Sequence, residues 1–469
     1  MGRPRVGRHG NRLDRGGQKK GIPTSFQAEI AGEIETLIGR QAVADLDLEA
    51  LEMAARRSAL RLAACAVERQ LNQDLSDYAG PTMDCACGAQ ARYAGRRAKG
   101  FQSALGPLQL ERAYYHCSAC GRGGFPRDRA WGVEGTSLSP AVTRMVATVG
   151  AMVSFQEGSQ LLEELAAVKV EAKHVERAAE ALGAEIAADE RQDLQPTGQP
   201  ALSQTLYLGI DGTGVPMRPA ELAGRVGKQS DGSAKTREVK LCAAWSAESR
   251  DAHNRPVRDP GTVSYTAAIE SAATLDTDEA PSEFTQRVLR EATRRRFPEA
   301  HRQVVIGDGA PWIWRIAQEL FPRAVQIVDK FHAQQHLSEL AKVLYEAPSQ
   351  PAKAWAERRH QELDQGRFDD LLRAVRRHAD RCPEARKCFQ YLQRNRERMQ
   401  YPRFEAEGLC TGSGVVEAGC KVVIGTRLKR AGMRWTLAGA NAITALRCSK
   451  LSGRFQDFWE RRSERRRAA

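Results

Sequence analysis

Two aspartates, each followed by glycine and each preceded by an apolar run, are the first candidates for chemistry. Asp211 follows TLYLGI (205–210) and Asp308 follows QVVIG (303–307). A third acid, Glu417, comes just after Gly412-Ser413-Gly414, at the start of a helical stretch. Three carboxylates in one pocket repel and partly protonate if left alone. Hard divalent cations remove that conflict, and Mg2+ prefers sparse carboxylate ligation completed by water and phosphate oxygens. Two Mg2+ (or Mn2+) ions about 4 Å apart activate an attacking hydroxyl and stabilise a leaving oxygen in phosphoryl transfer. Such a site needs neither a protein nucleophile nor an organic cofactor. One Asp-Gly after a strand is ordinarily a turn; two of them, with a third acid placed to join them, define a candidate site.

A second group of chemically capable residues is Cys85-Ala-Cys87 and Cys117-Ser-Ala-Cys120, each pair followed by glycine (Gly88, Gly121). Four thiolates suit a tetrahedral Zn2+, and a small Gly-rich segment with little core gains folding energy from the metal. With four protein ligands the zinc is structural, because no position is left open for water. The first pair is C-x-C rather than the commoner C-x-x-C, and His116 is a competing ligand. The other seven of the eleven cysteines lack a paired pattern and read as ordinary core or surface thiols.

The acids need a fold that gathers them. Strands are predicted at 205–210, 238–245, 262–269, 303–306 and 324–328, with helices at 281–296 and around Trp312 and Trp314. Residues 331–399 read as entirely helical, and a last helical stretch carries Glu417. This order is the RNase H-like arrangement: an α/β fold with a mixed five-stranded sheet, three antiparallel strands then two parallel ones, interrupted by a helical insertion. Asp211 then ends the first strand and Asp308 the fourth, adjacent strand. Their carboxylates converge at the sheet end where α/β folds bind ligands, and Glu417 completes the cluster from the side.

The boundaries expected are a basic disordered tail (1–22), a helical N-terminal region (23–80), a zinc-ribbon-like module (81–130) and a helical, helix-turn-helix-like region with a polar linker (131–200). The catalytic core follows (201–332), then the helical insertion (333–405), the closing helices (406–453) and a basic tail (454–469). Leu48, Leu51, Ala55, Ala59 and Leu62 are expected to form a core-facing stripe in the first helical region.

The formal charge of +13, with a pI near 9.3, favours a polyanionic partner, since Lys and Arg displace counterions condensed on phosphates. Candidate DNA contacts are Lys173 and Arg177 on the second helix of the 155–182 hairpin, and Lys228, Lys235 and Arg237 near the first catalytic strand. Lys421, Arg427, Lys429, Arg430 and Arg434 form an all-basic run after Glu417, with Trp435 beside it. Trp312, Trp314 and Trp435 are candidates for stacking on unpaired bases, and the arginines of 461–467 for non-specific affinity. The first twenty residues lack an apolar signal core, no apolar run spans a bilayer, and the scattered cysteines fit reduced thiols. A soluble protein of the bacterial cytoplasm, working at the nucleoid, is the expectation.

The sequence resembles the bacterial insertion-sequence transposases of the DDE type, in the ISKra-type group. YLGIDGTGVPM (207–217), GRVGKQSDGSAKTREVKL (224–241), VVIGDGAPWIW (304–314), IVDKFH (327–332), SGVVEAGCKVVIGTRLKRAGMRW (413–435) and LSGRFQDFW (451–459) carry the resemblance. It implies metal-dependent cleavage and joining at the terminal inverted repeats of an element and in target DNA, with Asp211, Asp308 and Glu417 as the catalytic acids. Synapsis of two ends implies at least a homodimer. Asp329 and His332 match the Asp-x-x-His signature that precedes the insertion in such groups and are given a supporting role. The alternatives are an RNase H-like nuclease or resolvase without a joining step, and a zinc-dependent DNA-binding regulator with an inactive nuclease fold.

Overall fold

A computed structural model describes residues 47–192, 202–272, 282–345 and 349–468, apart from 228 and 231, together with positions 28, 31, 32 and 35. The expectations for the 1–22 tail, the linker before residue 201 and Lys228 lie outside the described residues. The chain forms two compact units, Met1–Arg127 and Asp128–Ala469.

In the first unit a long helix, α1 (Leu48–Gln73), precedes an antiparallel sheet of β1 (Thr82–Asp84), β2 (Gln90–Ser103), β3 (Gly106–His116) and β4 (Gly123–Gly124), in that spatial order. The C-terminal end of α1 is tied to β3 by polar contacts. Glu68 accepts the Gln109 N–H (2.6 Å), and Asn72 both accepts the Glu111 N–H (2.8 Å) and donates to the Gln109 carbonyl (2.9 Å). Buried Asp77 pairs with Arg96 and accepts the Ala113 N–H. The expected stripe is not buried: Leu48 and Ala59 are exposed, and the buried positions of α1 are Ser58 and Ala64. The apolar residues of α1 are too weakly segregated to one side for burial to follow them.

The second unit is an α/β fold around a five-stranded mixed sheet of the RNase H-like kind. Its strands are β5 (Thr205–Pro216), β6 (Thr236–Ser246), β9 (Ser264–Ala268), β10 (Arg302–Gly307) and β11 (Val325–Val328), in the order β11-β10-β5-β6-β9. The β5–β6–β9 pairs are antiparallel and the β5–β10–β11 pairs parallel. A small hairpin, β7 (Ser249–Arg250) with β8 (Pro256–Val257), lies between β6 and β9 in the chain. The apolar runs are buried along their whole length, as parallel strands covered on both faces require.

Helices α2 (Pro140–Met152), α3 (Phe155–Ala166) and α4 (Ala172–Gln192) precede the sheet. A left-handed Ala167 ends α3 and allows the helix–turn–helix to form. Helix α4 extends well beyond residue 182, and Val175, Ala179, Leu182 and Ile186 are buried. It packs on α13 (Leu437–Leu451) so closely that a Cβ on Gly183 would lie 2.1 Å from the Ala442 carbonyl oxygen. This region is therefore part of the core of the second unit rather than a free-standing arm.

Between β9 and β10 lies α5 (Glu283–Arg294), and between β10 and β11 lies α6 (Pro311–Leu320). After β11 come α7 (Lys330–Leu344) and the helical insertion, α8 (Gln350–Asp364), α9 (Phe368–Ala379), α10 (Pro383–Arg394) and α11 (Tyr401–Ala406). The chain returns to the sheet with α12 (Gly414–Gly419), which runs into a π-helical turn, Cys420–Gly425; α13 and α14 (Phe455–Ala468) close the unit. Buried Arg447 of α13 donates to the Val422 and Val423 carbonyls and to Thr426, which satisfies groups that the irregular turn leaves open.

The seat of α12 is set by glycine. A Cβ built on Gly209 of β5 would fall 1.8 Å from Val416 Cγ2 and 2.8 Å from the Trp245 ring. Only hydrogen fits there, so the helix carrying Glu417 lies directly on the strand carrying Asp211. Gly209→Ala is expected to destabilise the protein by about 1–3 kcal/mol through overpacking. Urea unfolding measures this, and a change below about 0.5 kcal/mol would contradict the described contact.

Candidate functional site

The β5–β10 register pairs Ile210 with Gly307 as its last step. Asp211 and Asp308 are the next residues on two adjacent parallel strands, whose backbones are about 4.8 Å apart. Here the two strands part company. Beyond Gly307 the chain turns away, whereas β5 continues to Pro216 in antiparallel pairing with β6, Asp211 lying opposite Leu241. Asp211 thus lies within its strand rather than at its end, a correction to the sequence-based expectation. What ends at Asp211 is the pairing on one side only.

Asp308 is fixed by its turn. Its Oδ1 accepts the Ala310 N–H (2.8 Å), Gly309 adopts a left-handed φ of +100°, and the Tyr391 hydroxyl of α10 donates to the Asp308 carbonyl (2.8 Å). A Cβ at Gly309 would also meet the Tyr391 ring at 2.5 Å. The insertion therefore helps to shape the turn that holds Asp308. Asp211 Oδ1 accepts the Gly212 N–H (2.6 Å), and Oδ2 accepts from the Cys420 thiol (3.4 Å). Burial raises the Asp211 carboxyl above the usual range, and the Asp308 charge pushes in the same direction.

Glu417 and Asp211 line one cleft of roughly 430 Å³, together with His332, Lys421 and Lys429. Glu417 is exposed and pairs with Lys421 (2.7 Å), whose hydrogen bond, and then its charge, hold the glutamate below its ordinary range. Asp308 flanks Asp211 without itself lining the cleft. Among the described residues the three acids do not form a group whose ligand oxygens all lie within 4.8 Å.

Asp329 is buried and connects the two halves of the site. It caps α7 by accepting the His332 N–H (3.0 Å), and its other oxygen accepts the Ser413 N–H just ahead of α12. Its own N–H donates to the Gly307 carbonyl (2.8 Å), and Lys330 N–H donates to the Thr411 carbonyl (2.9 Å). Asp329 thus positions the helix of Glu417 against the strand of Asp308, while His332 faces the cleft.

The basic run after Glu417 divides into distinct roles. Lys421 and Lys429 line the cleft, Lys429 donating to the Thr213 hydroxyl. Arg434 and Lys235 are exposed and Arg237 is half-buried. Arg427 is fully buried: it donates to the Gly150 carbonyl (2.9 Å) and lies over the Phe155 and Trp435 rings. Trp435 is buried too and donates to the Leu428 carbonyl (2.9 Å). Both hold the fold together and are withdrawn as DNA contacts. Arg430 is engaged by Glu157 in a two-point ion pair. Trp314 is buried as well, and Trp312 is half-buried.

On α4, Lys173 is exposed and paired with Glu176, and Arg177 is exposed. The final helix is not a loose basic tail: Arg461 and Arg465 bind Asp189, and Arg462 binds Glu185. Thr213, Gln335 and Cys420 also line the cleft and were not singled out from the sequence. The one legible signal was the i,i+3 spacing of Cys420 from Glu417, which puts them on neighbouring positions of a helix surface.

In the first unit Cys85, Cys87, Cys117 and Cys120 form a cluster whose sulfurs all lie within 4.8 Å of one another. The Cys85–Cys120 and Cys87–Cys117 sulfurs are 3.6 and 3.7 Å apart. Zinc held by four thiolates at about 2.3 Å sets its sulfurs about 3.8 Å apart, so the spacing fits the metal. Each knuckle closes with a left-handed glycine whose N–H donates to the first cysteine carbonyl: Gly88 to Cys85 and Gly121 to Cys117, both 2.9 Å. The Cys120 backbone N–H favours the Cys117 thiolate and lowers its pKa. His116 is not part of the cluster. No described helix is long and apolar enough to cross a membrane.

No protein-family model matches the chain, and no curated protein sequence matches it either. Among solved structures the chain is similar to a Drosophila P element transposase strand transfer complex, at 9% identity and a TM-score of 0.23, over 69% of this chain and 80% of that chain. A likeness of that size carries no argument about fold or function.

Two outcomes follow. The purified protein should carry about one zinc per chain by atomic emission, lost in Cys117→Ser; a metal-free wild type with an intact fold would contradict the four-thiolate site. Because folding raises the Asp211 pKa, its ionised form costs stability above the folded pKa, and the cost disappears below the unfolded value. Without divalent cations, Asp211→Asn should therefore raise the thermal midpoint at pH 7. The gain should fade as pH falls through the ordinary carboxylate range, and a lower midpoint at pH 7 would contradict it.

Proposed function

We propose that this chain is a DDE transposase of a bacterial insertion sequence, cutting and joining DNA at element ends by divalent-metal-dependent phosphoryl transfer. The observation that carries the reading is that Asp211 and Asp308 directly follow the last paired residues, Ile210 and Gly307, of two adjacent parallel strands, with Glu417 on a helix seated against β5. Burial and mutual repulsion make the two aspartates a poor pair of free anions and a good pair of ligands for a hard cation. Two Mg2+ or Mn2+ ions, when bound there, would supply activation of the attacking hydroxyl and stabilisation of the leaving oxygen.

The protein's own groups provide the rest. Asp211 and Asp308 are held in place by backbone N–H donors, so little ordering remains to be done when substrate arrives. Glu417 starts on Lys421, and an exposed ion pair of this kind is worth at most about 1 kcal/mol, so exchanging Lys421 for the cluster is cheap. Freed, Lys421 joins Lys429 as a cation for the DNA backbone in the cleft. Asp329 acts through others, holding the Ser413 end of α12 in register with β10. His332, at the cleft wall, is placed to contact a scissile-strand phosphate.

The ligands on this reading are the terminal inverted repeats and target DNA, brought together by at least a dimer, with the zinc module as a structural unit. The motif resemblance in the catalytic segments supports the insertion-sequence assignment. Incubation of the protein with DNA carrying the element ends and Mg2+ or Mn2+ should give 3′-end cleavage and strand transfer, both falling to background in Asp211→Asn, Asp308→Asn and Glu417→Gln. Cleavage without joining would convert the reading to a nuclease, and metal-independent or absent cleavage would overturn it.

A further inference from the structure

A second pocket, of roughly 250 Å³, lies on the other side of the Asp308 turn. Its walls include Gly309, Trp314, Arg315, Arg394, Asn395 and Arg398. Three guanidinium groups meet here, and among the described residues none of them pairs with a carboxylate. Their hydrogen-bond partners are neutral. Arg398 donates to the Gln326 side chain (2.7 Å) and the Arg394 carbonyl (3.3 Å), and Arg394 donates to the Gln390 carbonyl (3.3 Å). Arg398 also lies over the Trp314 ring, 4.8 Å from its centroid.

Trp314 adds an independent observation. It is 5% exposed, and its Nε1–H is buried with no acceptor. A buried donor without a partner is uncommon in a native fold and calls for one. The pocket therefore offers guanidinium donors in excess, backed by a buried indole N–H that has no acceptor, and the ligand that suits it is an anion with several acceptor oxygens. Guanidinium groups match phosphate oxygens in geometry as well as charge.

We propose that this pocket binds a backbone phosphate of the DNA, separate from the phosphate undergoing reaction, and holds the strand against the Asp308 side of the site. The proposal rests on the transposase reading, because position beside Asp308 is what makes a nucleic-acid strand the occupant rather than a free anion. On this account the DNA is gripped on both flanks: by Lys421 and Lys429 in the Asp211–Glu417 cleft, and by the arginines of α6 and of the α10 end of the insertion. The insertion then has a task in substrate binding beyond shaping the turn.

The test is the salt dependence of binding of the full-length protein to a short random-sequence DNA duplex, measured by fluorescence anisotropy in Ca2+. Each phosphate contact contributes about 0.9 to the slope of log affinity against log salt. Arg315→Ala and Arg394→Ala should each weaken binding about tenfold and reduce the slope by about 1. Arg376→Ala, an exposed arginine of α9 outside the pocket, should alter neither. Inorganic phosphate added at constant ionic strength, in a Ca2+-free arm of the same assay, should not compete in the millimolar range; strong competition would reassign the pocket to a free anion. If the wild type binds DNA and both arginine variants keep its slope, the pocket proposal falls while the transposase reading stands. If the wild type does not bind DNA, both fall.

Discussion

Two carboxylates set just past the last paired step of two adjacent parallel strands repel each other, and the register of those strands is what holds them together. The register is set by apolar strands buried on both faces, so a one-residue slip would turn a whole set of core side chains the wrong way. Asp211 and Asp308 thus inherit their juxtaposition from the core, and the cost of their repulsion is met by its packing. The absence of a side chain at Gly209 then lets α12 lie on the same strand, which brings Glu417 to the cleft. The buried carboxylate of Asp329 ties the two chain segments together.

Much of this was legible in the sequence, for reasons that differ by element. The strands carrying Asp211 and Asp308 are continuous apolar runs bounded by glycine, a pattern with few other solutions, and the sheet order followed from them. The cysteine cluster was legible because two pairs with a glycine after each encode their own knuckles. The length of β5 was not. Asp-Gly reads as a turn, but antiparallel pairing with β6 carries the chain straight through Asp211 to Pro216. Long-range pairing overrode local preference there.

The basic residues were the least legible part. A run such as Lys421 to Arg434 looks uniform in sequence, yet the fold divides it between cleft, surface and core. Arg427 disappears inside because it meets an open carbonyl at Gly150 and two aromatic faces. Arg447 is likewise buried on backbone carbonyls, whereas Arg454 is buried between Glu190 and Glu291. Removing one member of such an enclosed ion pair leaves an uncompensated charge and costs about 3–5 kcal/mol. Arg427 and Arg447, buried on carbonyls, are part of the net charge of +13, so its count overstates the surface available to a polyanion. The same logic places the C-terminal arginines on Asp189 and Glu185, where charge composition alone suggested a free tail.

What the fold leaves poised is the third acid. Glu417 sits at the edge of the cleft on a solvent-exposed lysine, next to a π-helical turn, an irregularity that recurs at functional sites. A crystal structure with Mn2+ and cleaved element-end DNA, using anomalous scattering to locate the metal, tests this most directly. The account predicts two manganese peaks about 4 Å apart, held by Asp211 and Asp308, with Glu417 turned off Lys421 to join them. Manganese absent from the two aspartates, or Glu417 still held by Lys421 with DNA in place, would contradict it.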